Sequence, residues 1–293
     1  RRKSSLDEYK NGSNVQKSNK MNILSLFDGI SAGQVALNRA GIKYENYFAS
    51  EIDNNAIFIT QKNFPNTKQL GNVEQINIKK LPKIDLLIGG SPCQSFSSLG
   101  DGSGFDGKSR LFWEYLRIYN ELKKKNNNLK FLLENVVMKE KWSNVITDKF
   151  NIEPILINSN IVSAQNRPRL YWSNINFIEY GFFKSKKTYF EIEKKKILLK
   201  DILEDREFRE IPKGFFNKWG NKMRIEKGLN WTENKKSNCL TTKNCHSNQY
   251  LLNLEKNKIR KLTPIEFERL QTFDDNYTEG ISKITATDFL YAN

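Results

Sequence analysis

Cysteine, histidine and long apolar runs are what this chain has least of. Its three cysteines, Cys93, Cys239 and Cys245, cannot build a disulfide framework, and that scarcity fits a reducing cytoplasm. Cys239, Cys245 and the single histidine, His246, crowd together, but their spacing is irregular and a fourth ligand is missing, so no metal centre is assigned. No apolar run reaches the roughly 18 residues that span a bilayer, which removes a membrane from the expected partners. Residues 1–20 are basic and polar, without the apolar segment of a secretory leader. They read as a disordered basic extension before a recognisable start at Met21. No internal repeat is present.

What the chain does have is length and positive charge. Its 293 residues suffice for one large domain carrying a smaller one. The 48 lysines and arginines against 33 acids leave a formal charge of +15, a balance suited to a polyanionic partner. Part of that excess, as in Lys123-Lys124-Lys125 and Lys194-Lys195-Lys196, reads simply as solvated surface.

Patterning along the first half predicts repeated strand and helix units. Residues 22–27 form an apolar strand that breaks at Asp28-Gly29-Ile30-Ser31-Ala32-Gly33, and an amphipathic helix follows over 34–40 before Gly41. A second strand covers 47–52 and a helix 54–63, ending at Pro65. Further strands are predicted at 84–88 and 131–134, with a strongly amphipathic helix over 109–125 between them. Such alternation predicts a mostly parallel sheet with helices on both faces. After residue 175 the chain turns lysine-rich and aromatic (Phe182, Phe183, Tyr189, Phe190, Phe215, Phe216, Trp219, Trp231) without clear alternation, and reads as a smaller unit over 176–253. A helix then starts at Thr263-Pro264, with Thr263 as N-cap.

Four places carry chemistry. The turn after the first strand leaves backbone N–H groups at a helix start, and Glu51 ends the second strand about 20 residues later, where a carboxylate can accept ribose hydroxyls. Together they suit an adenosine-type ligand, although two ordinary strand-to-helix turns would look alike. At the end of the third strand, Gly89-Gly90-Ser91-Pro92-Cys93-Gln94 delivers a thiol to the sheet edge where ligands gather. Cys93 is a nucleophile candidate or a buried inert cysteine. Gly102-Ser103-Gly104-Phe105-Asp106-Gly107 matches a dinucleotide fingerprint by letter but follows no strand directly, and reads as a loop or lid over 100–107. Glu134-Asn135-Val136 closes the fourth strand on the same edge, as a proton-exchanging group or a carboxylate at a helix start. Gln165-x-Arg167-x-Arg169, if extended, places an amide and two guanidiniums on one face, as a donor array for a base or phosphate or as an exposed edge strand.

Taken in order, these segments resemble the DNA (cytosine-C5) methyltransferase family, and the resemblance covers nearly all of 21–277. The turn from Phe27-Asp28-Gly29 to Gly33 resembles its cofactor motif, Glu51 its ribose-binding acid, and Pro92-Cys93-Gln94 its catalytic motif. Glu134-Asn135-Val136 and Gln165-x-Arg167-x-Arg169 resemble the next two signatures, and Arg260-Lys261-Leu262-Thr263-Pro264-Ile265-Glu266 with Arg269-Leu270-Gln271 a late scaffold motif. The wording around Phe27 and Gln165 is similar to the branch holding phage, bacterial and animal de novo type enzymes.

The resemblance implies a Rossmann-like class I S-adenosylmethionine-dependent methyltransferase sheet with helices on both faces, over 21–175 and again from 254 to 293, with a target-recognition domain at 176–253. It implies S-adenosylmethionine held by Phe27, Asp28, Gly29, Ile30, Gly33, Glu51, Ile52, Asn72, Val73 and Ser91. Cys93 would add to C6 of a flipped-out cytosine in duplex DNA, with Pro92 and Gln94 beside it. Glu134 would hold N3 and the exocyclic amine, Arg167 would contact O2, and Gln165 and Arg169 would complete that wall. Leu240-Thr241-Thr242 resembles a recognition-region element, which gives Thr241 and Thr242 to DNA recognition. A monomer is expected, cytoplasmic and associated with the nucleoid, with a cognate restriction endonuclease as a possible partner.

Three departures accompany the resemblance. Ser31 stands where many members have a second glycine, a change expected to alter little. Asn72 replaces an aspartate that accepts from adenine. Residues 281–293 lack the family's closing glycine-asparagine element, so a truncated or frame-altered carboxyl end is expected, with reduced cofactor affinity or a need for a complementing fragment. Two rival readings stand beside the enzyme: a non-enzymatic DNA-binding protein on the same fold, and a tRNA cytosine methyltransferase.

Overall fold

The computed structural model describes residues 21–92, 108–214, 236–237, 250–253 and 256–281. Seven strands form the central sheet: β1 (Met21–Leu26), β2 (Tyr44–Ser50), β3 (Lys68–Gln69), β4 (Leu86–Gly90), β5 (Lys130–Val136), β6 (Ile155–Asn158) and β7 (Pro168–Ser173). Their spatial order is β3-β2-β1-β4-β5-β7-β6. The order reverses between β1 and β4, and ligands of open α/β sheets bind at the carboxyl ends of the strands flanking such a switch. Both glycine-bearing turns singled out in the sequence leave the sheet there.

The expected parallel sheet holds for β1 to β5, while β7 lies antiparallel between β5 and β6. The link from β6 to β7 explains this. Nine residues, containing only a short 3-10 turn at Ser159–Ile161, separate the two strands, too few for the helical crossover that a parallel return needs. The link is closed by Ser159 N–H donating to the Arg167 carbonyl and by Arg167 N–H donating to Asn158 Oδ1.

Alternate residues of the same strands face two helical layers. Leu24, Leu26, Phe48, Leu87, Phe131, Leu133 and Trp172 pack with Phe112, Tyr115, Ile118 and Leu122 of α3 (Phe112–Lys125) and with Ile146 and Phe150 of α4 (Glu140–Phe150). Ile23, Tyr47, Ala49 and Leu86 pack on Leu37 of α1 (Ala32–Arg39). Predicted boundaries shift by up to three residues, while α3 ends at Lys125 as predicted and α2 (Asn54–Asn63) both begins and ends as predicted, with the Asp53 carboxylate accepting from Asn55 and Ala56 N–H as its cap. The helix predicted over 109–125 begins with a 3-10 turn at Lys108–Leu111.

The lysine-rich part is less separate than its composition suggests. A hairpin of β8 (Phe177–Tyr180) and β9 (Ser185–Thr188) is tied back by Ser173 N–H donating to Thr188 Oγ1. Strands β10 (Arg209–Glu210), β11 (Tyr250–Asn253) and β12 (Lys258–Lys261) form a second antiparallel sheet. Leu199, Ile202 and Leu251 share one core with Ala56 and Ile59 of α2 and with Phe267 and Leu270 of α5 (Pro264–Leu270). Two of its aromatics, Phe182 and Phe183 at the hairpin tip, are 96% and 90% exposed, because a four-residue loop projects them away from every layer. The Thr263 cap is as predicted, completed by Glu266 in a capping box. Phe215, Phe216, Trp219 and Trp231 lie outside the described residues, as do Cys239, Cys245, His246 and all but the first of residues 281–293. Among the described residues no helix is long and apolar enough to cross a membrane.

Candidate active site

The turn after β1 alternates its handedness. Phe27, Gly29 and Ser31 have φ of 57°, 57° and 66°, so two side-chain-bearing residues occupy the left-handed region. For L-residues that conformation costs about 1 kcal/mol or more each, and it persists only where the surroundings over-determine it. The Glu51 carboxylate supplies one restraint. Its Oε2 accepts from Gly29 N–H at 2.8 Å, while Oε1 accepts from Ile52 N–H at 2.8 Å and Asp53 N–H at 3.0 Å. With Oε1 filled, one lone pair on Oε2 remains, so this arrangement can take one hydroxyl. Accepting two would require Glu51 to release a backbone N–H.

A second restraint lies beneath the turn. Asp28 is buried, its N–H donating to the Ser50 carbonyl, and its carboxylate accepts from Ser31 Oγ at 2.7 Å and Tyr47 Oη at 2.8 Å. Gln34 Nε2 donates to Ser31 Oγ and Thr67 Oγ1, and Tyr44 Oη donates to Gln34 Oε1, so a buried polar chain runs from β2 to α1. Burial pushes the Asp28 carboxyl up from 3.8 to about 6, against the downward pull of its hydroxyl donors and with a smaller upward push from Glu51. The Ser31 hydroxyl therefore serves Asp28 and not the helix, which it leaves without a side-chain cap.

The surroundings of this turn suit a nucleoside. Phe27 is half-buried at the end of β1, and Ile52, beside Glu51, is 73% exposed, an apolar surface next to a carboxylate with an open lone pair. Val73 is buried and belongs to the core. Asn72 Oδ1 accepts from Glu74 N–H at 3.0 Å and retains one acceptor position.

Across the switch point, β4 and β5 bring together Gly90 and Glu134, which are register partners. A Cβ at Gly90 would lie 2.7 Å from Glu134 Oε2, so the glycine is what lets the carboxylate occupy this edge. Arg169 Nε pairs with Glu134 Oε1 at 2.8 Å across the antiparallel β5–β7 ladder. Tyr171 lies directly opposite Glu134, and its burial, together with Glu134, pushes the phenol up to about 12 against the pull of Arg167 and Arg169. On the other face, Asn135 Nδ2 donates to the Ser91 carbonyl at 3.3 Å and hydroxyl at 3.1 Å. Ser91 is thereby fixed two residues before Cys93.

Several expectations need adjusting. Gln165, Arg167 and Arg169 do not form one donor face. Gln165 is buried with its Nε2 unpartnered, bridging by its backbone to Ser237, and only Arg169 lies within β7. The edge-strand alternative fails too, since β7 is interior. Arg169 is a holder of Glu134. Arg169 and Tyr171 share one face of β7, and Tyr171 was legible by continuing the same alternation one step. Gly33 is close-packed, since a Cβ there would lie 2.4 Å from Ile88 Cδ1. Its place in the turn is a matter of packing the helix on the sheet. Pro92 is the last described residue before a gap, and Cys93, Gln94, the loop at 100–107, Thr241 and Thr242 lie outside the described residues.

A family model for C-5 cytosine-specific DNA methylases matches residues 21–248 and 214–290. Among curated relatives, the orphan methyltransferase M.SPRI of Bacillus phage SPR is 37% identical over 198 residues, covering 62% of this chain and 43% of that protein. The Type II methyltransferase M.Bsp6I of Bacillus sp. (strain RFL6) is 29% identical over 284 residues, covering 88% of this chain and 89% of that protein. This chain thus spans less than half the length of the phage relative and most of the length of the bacterial one. Among solved structures, the Entamoeba histolytica methyltransferase EhMeth superposes with a TM-score of 0.69 at 18% identity, covering 93% of each chain. The S. pombe Dnmt2 methyltransferase gives 0.66 at 17% identity, covering 94% of each. These two likenesses concern the fold.

Proposed function

Because the chain belongs to the C-5 cytosine-specific DNA methylase family, we propose that it transfers a methyl group to C5 of a flipped-out cytosine within a specific duplex DNA sequence. The observation that carries the reading is the Glu134 carboxylate, clamped by Arg169 and lying over side-chain-free Gly90, three residues before Cys93 at the switch point of the sheet. The Glu134 carboxyl can accept from the exocyclic amine of cytosine and, when it carries a proton, donate that proton to N3, which is itself an acceptor.

The cofactor we assign is S-adenosylmethionine, with Phe27, Asp28, Gly29, Ile30, Gly33, Glu51, Ile52, Asn72, Val73 and Ser91 forming or supporting its site. When bound, it supplies an electrophilic methyl group. The chain's own residues prepare the acceptor. The Cys93 thiolate adds to C6, forming an S–C6 bond, and the electron pair of the C5–C6 double bond makes C5 nucleophilic. Glu134, in its protonated form, donates to N3 as negative charge develops on the ring, and Arg167 orients the base through O2. After transfer, the C5 proton passes to a solvent water, its bonding pair re-forms the C5–C6 double bond, and the S–C6 pair leaves on Cys93 as the thiolate. Extrusion of the base from the stack precedes all of this, with the loop at 100–107 closing over it. Residues 176–253, including Thr241 and Thr242, are assigned to target recognition, and lysines and arginines contacting phosphate are expected to supply most of the affinity.

Incubating duplex DNA and tRNA separately with methyl-labelled S-adenosylmethionine tests the assignment. Label in DNA with wild type and none with Cys93→Ala supports it. Label in tRNA alone transfers the same chemistry to RNA, and no label in either at saturating cofactor leaves a DNA-binding protein on a methyltransferase fold. DNA affinity should fall steeply as salt is raised.

A further inference from the structure

We propose that Tyr277 is a positioning residue for the cofactor turn, its buried hydroxyl latching the Ile30 carbonyl from the far end of the chain. The proposal rests on the function assigned above. Tyr277 Oη donates to Ile30 O at 2.6 Å across 247 residues of sequence. The other restraints on this turn come from nearby elements. Ser50, Glu51 and Tyr47 belong to β2 or its end, and Thr60 Oγ1 of α2 donates weakly to Gly29 O at 3.4 Å. Those contacts set residues 28 and 29. The peptide between Ile30 and left-handed Ser31 is held at its N–H by the Asp28 carbonyl, at 3.0 Å within the turn itself, and at its carbonyl by Tyr277.

The latch is itself held firmly. Tyr277 is buried and stacks on Phe273 with centroids 4.5 Å apart. The buried Glu268 carboxylate accepts from Asn276 N–H and Thr278 N–H, each at 2.7 Å, and from the Thr278 hydroxyl, which fixes the backbone on both sides of Tyr277. Asn63 Nδ2 of α2 donates to the Tyr277 carbonyl at 3.0 Å. Burial, with Asp28 adding to it, raises the phenol well above its ordinary range, so the hydroxyl remains a donor at any working pH. A strained turn with one carbonyl released has more conformations to lose when a ligand binds, and that loss is paid in affinity. By this reading Phe273, Tyr277 and Thr278 act on the cofactor site through the turn.

Tyr277→Phe removes only the hydroxyl. The expected result is about a tenfold rise in the dissociation constant and KM for S-adenosylmethionine, equivalent to about 1.4 kcal/mol, with kcat at saturation and DNA affinity within about twofold of wild type. Faster amide hydrogen exchange is expected over residues 27–34 without cofactor. Arg39→Ala loosens the same segment from its exposed side, where Arg39 reaches Thr272 O and Asp274, and should leave cofactor binding unchanged. Unchanged cofactor binding or unchanged exchange in Tyr277→Phe would overturn the proposal, as would an equal loss in Arg39→Ala. If wild type itself binds no S-adenosylmethionine, the assigned function falls, while the exchange rates still decide whether the hydroxyl holds the turn.

Discussion

Replacing Asp28 by asparagine should remove a contribution to stability that falls as pH rises, and the size of the effect follows from its burial. The folded-state carboxyl lies at about 6 against 3.8 for the free group, so the folded protein binds this proton more tightly than the unfolded chain does. The stabilisation is fully present below 3.8 and is lost as pH rises through about 6. A shift of that size corresponds to about 3 kcal/mol in full, roughly half of it developed by about pH 5. Glu204 and Asp275 carry shifts of opposite sign, each led by a hydrogen bond, from Thr263 and from Arg269. Absolute stability would therefore mix the contributions. The difference between wild type and Asp28→Asn isolates the one carboxyl. Urea unfolding at steps from about pH 4 to about pH 7.5 should show the variant gaining about 2 kcal/mol on wild type across the range, above a constant offset for the altered bonds to Ser31 and Tyr47. A difference that stays flat with pH would refute the assignment of a carboxyl raised by burial beneath the turn.

Gly90→Ala places a methyl group 2.7 Å from Glu134 Oε2 and should lower methyl transfer about a hundredfold with little change in melting temperature, measured by label incorporation beside a thermal scan. Arg260→Ala leaves the Glu266 carboxylate buried without its bidentate partner, whose contacts are 2.6 and 2.8 Å, and should cost about 3–5 kcal/mol in urea unfolding. Ser31→Gly removes a left-handed serine at φ 66° and should stabilise by about 1 kcal/mol in acid. That advantage should shrink toward neutrality, because Asp28 loses a hydroxyl donor; an equal gain at both pH values would contradict the coupling.

What the sequence by itself determined are the features written in short stretches. Strand, turn and helix around Gly29, the Asp53 and Thr263 caps, the amphipathic α3 and the carboxylates ending β2 and β5 all rest on signals within about ten residues, such as periodicity, turn chemistry and capping. Family membership followed from the order of those stretches. What only the tertiary structure decided are pairings between distant segments, which leave no periodic trace. The short β6–β7 link turns β7 antiparallel, and that reversal sets Arg169 against Glu134 and Tyr171 opposite it, where the sequence offered a row of equivalent donors. Ser31 reads as a harmless replacement for glycine until its φ of 66° and its bond to Asp28 are seen together. Tyr277 has no local signal at all. Its role exists because packing α5 against α2 carries a hydroxyl to a carbonyl 247 residues away, and a contact of that kind is a property of the folded core.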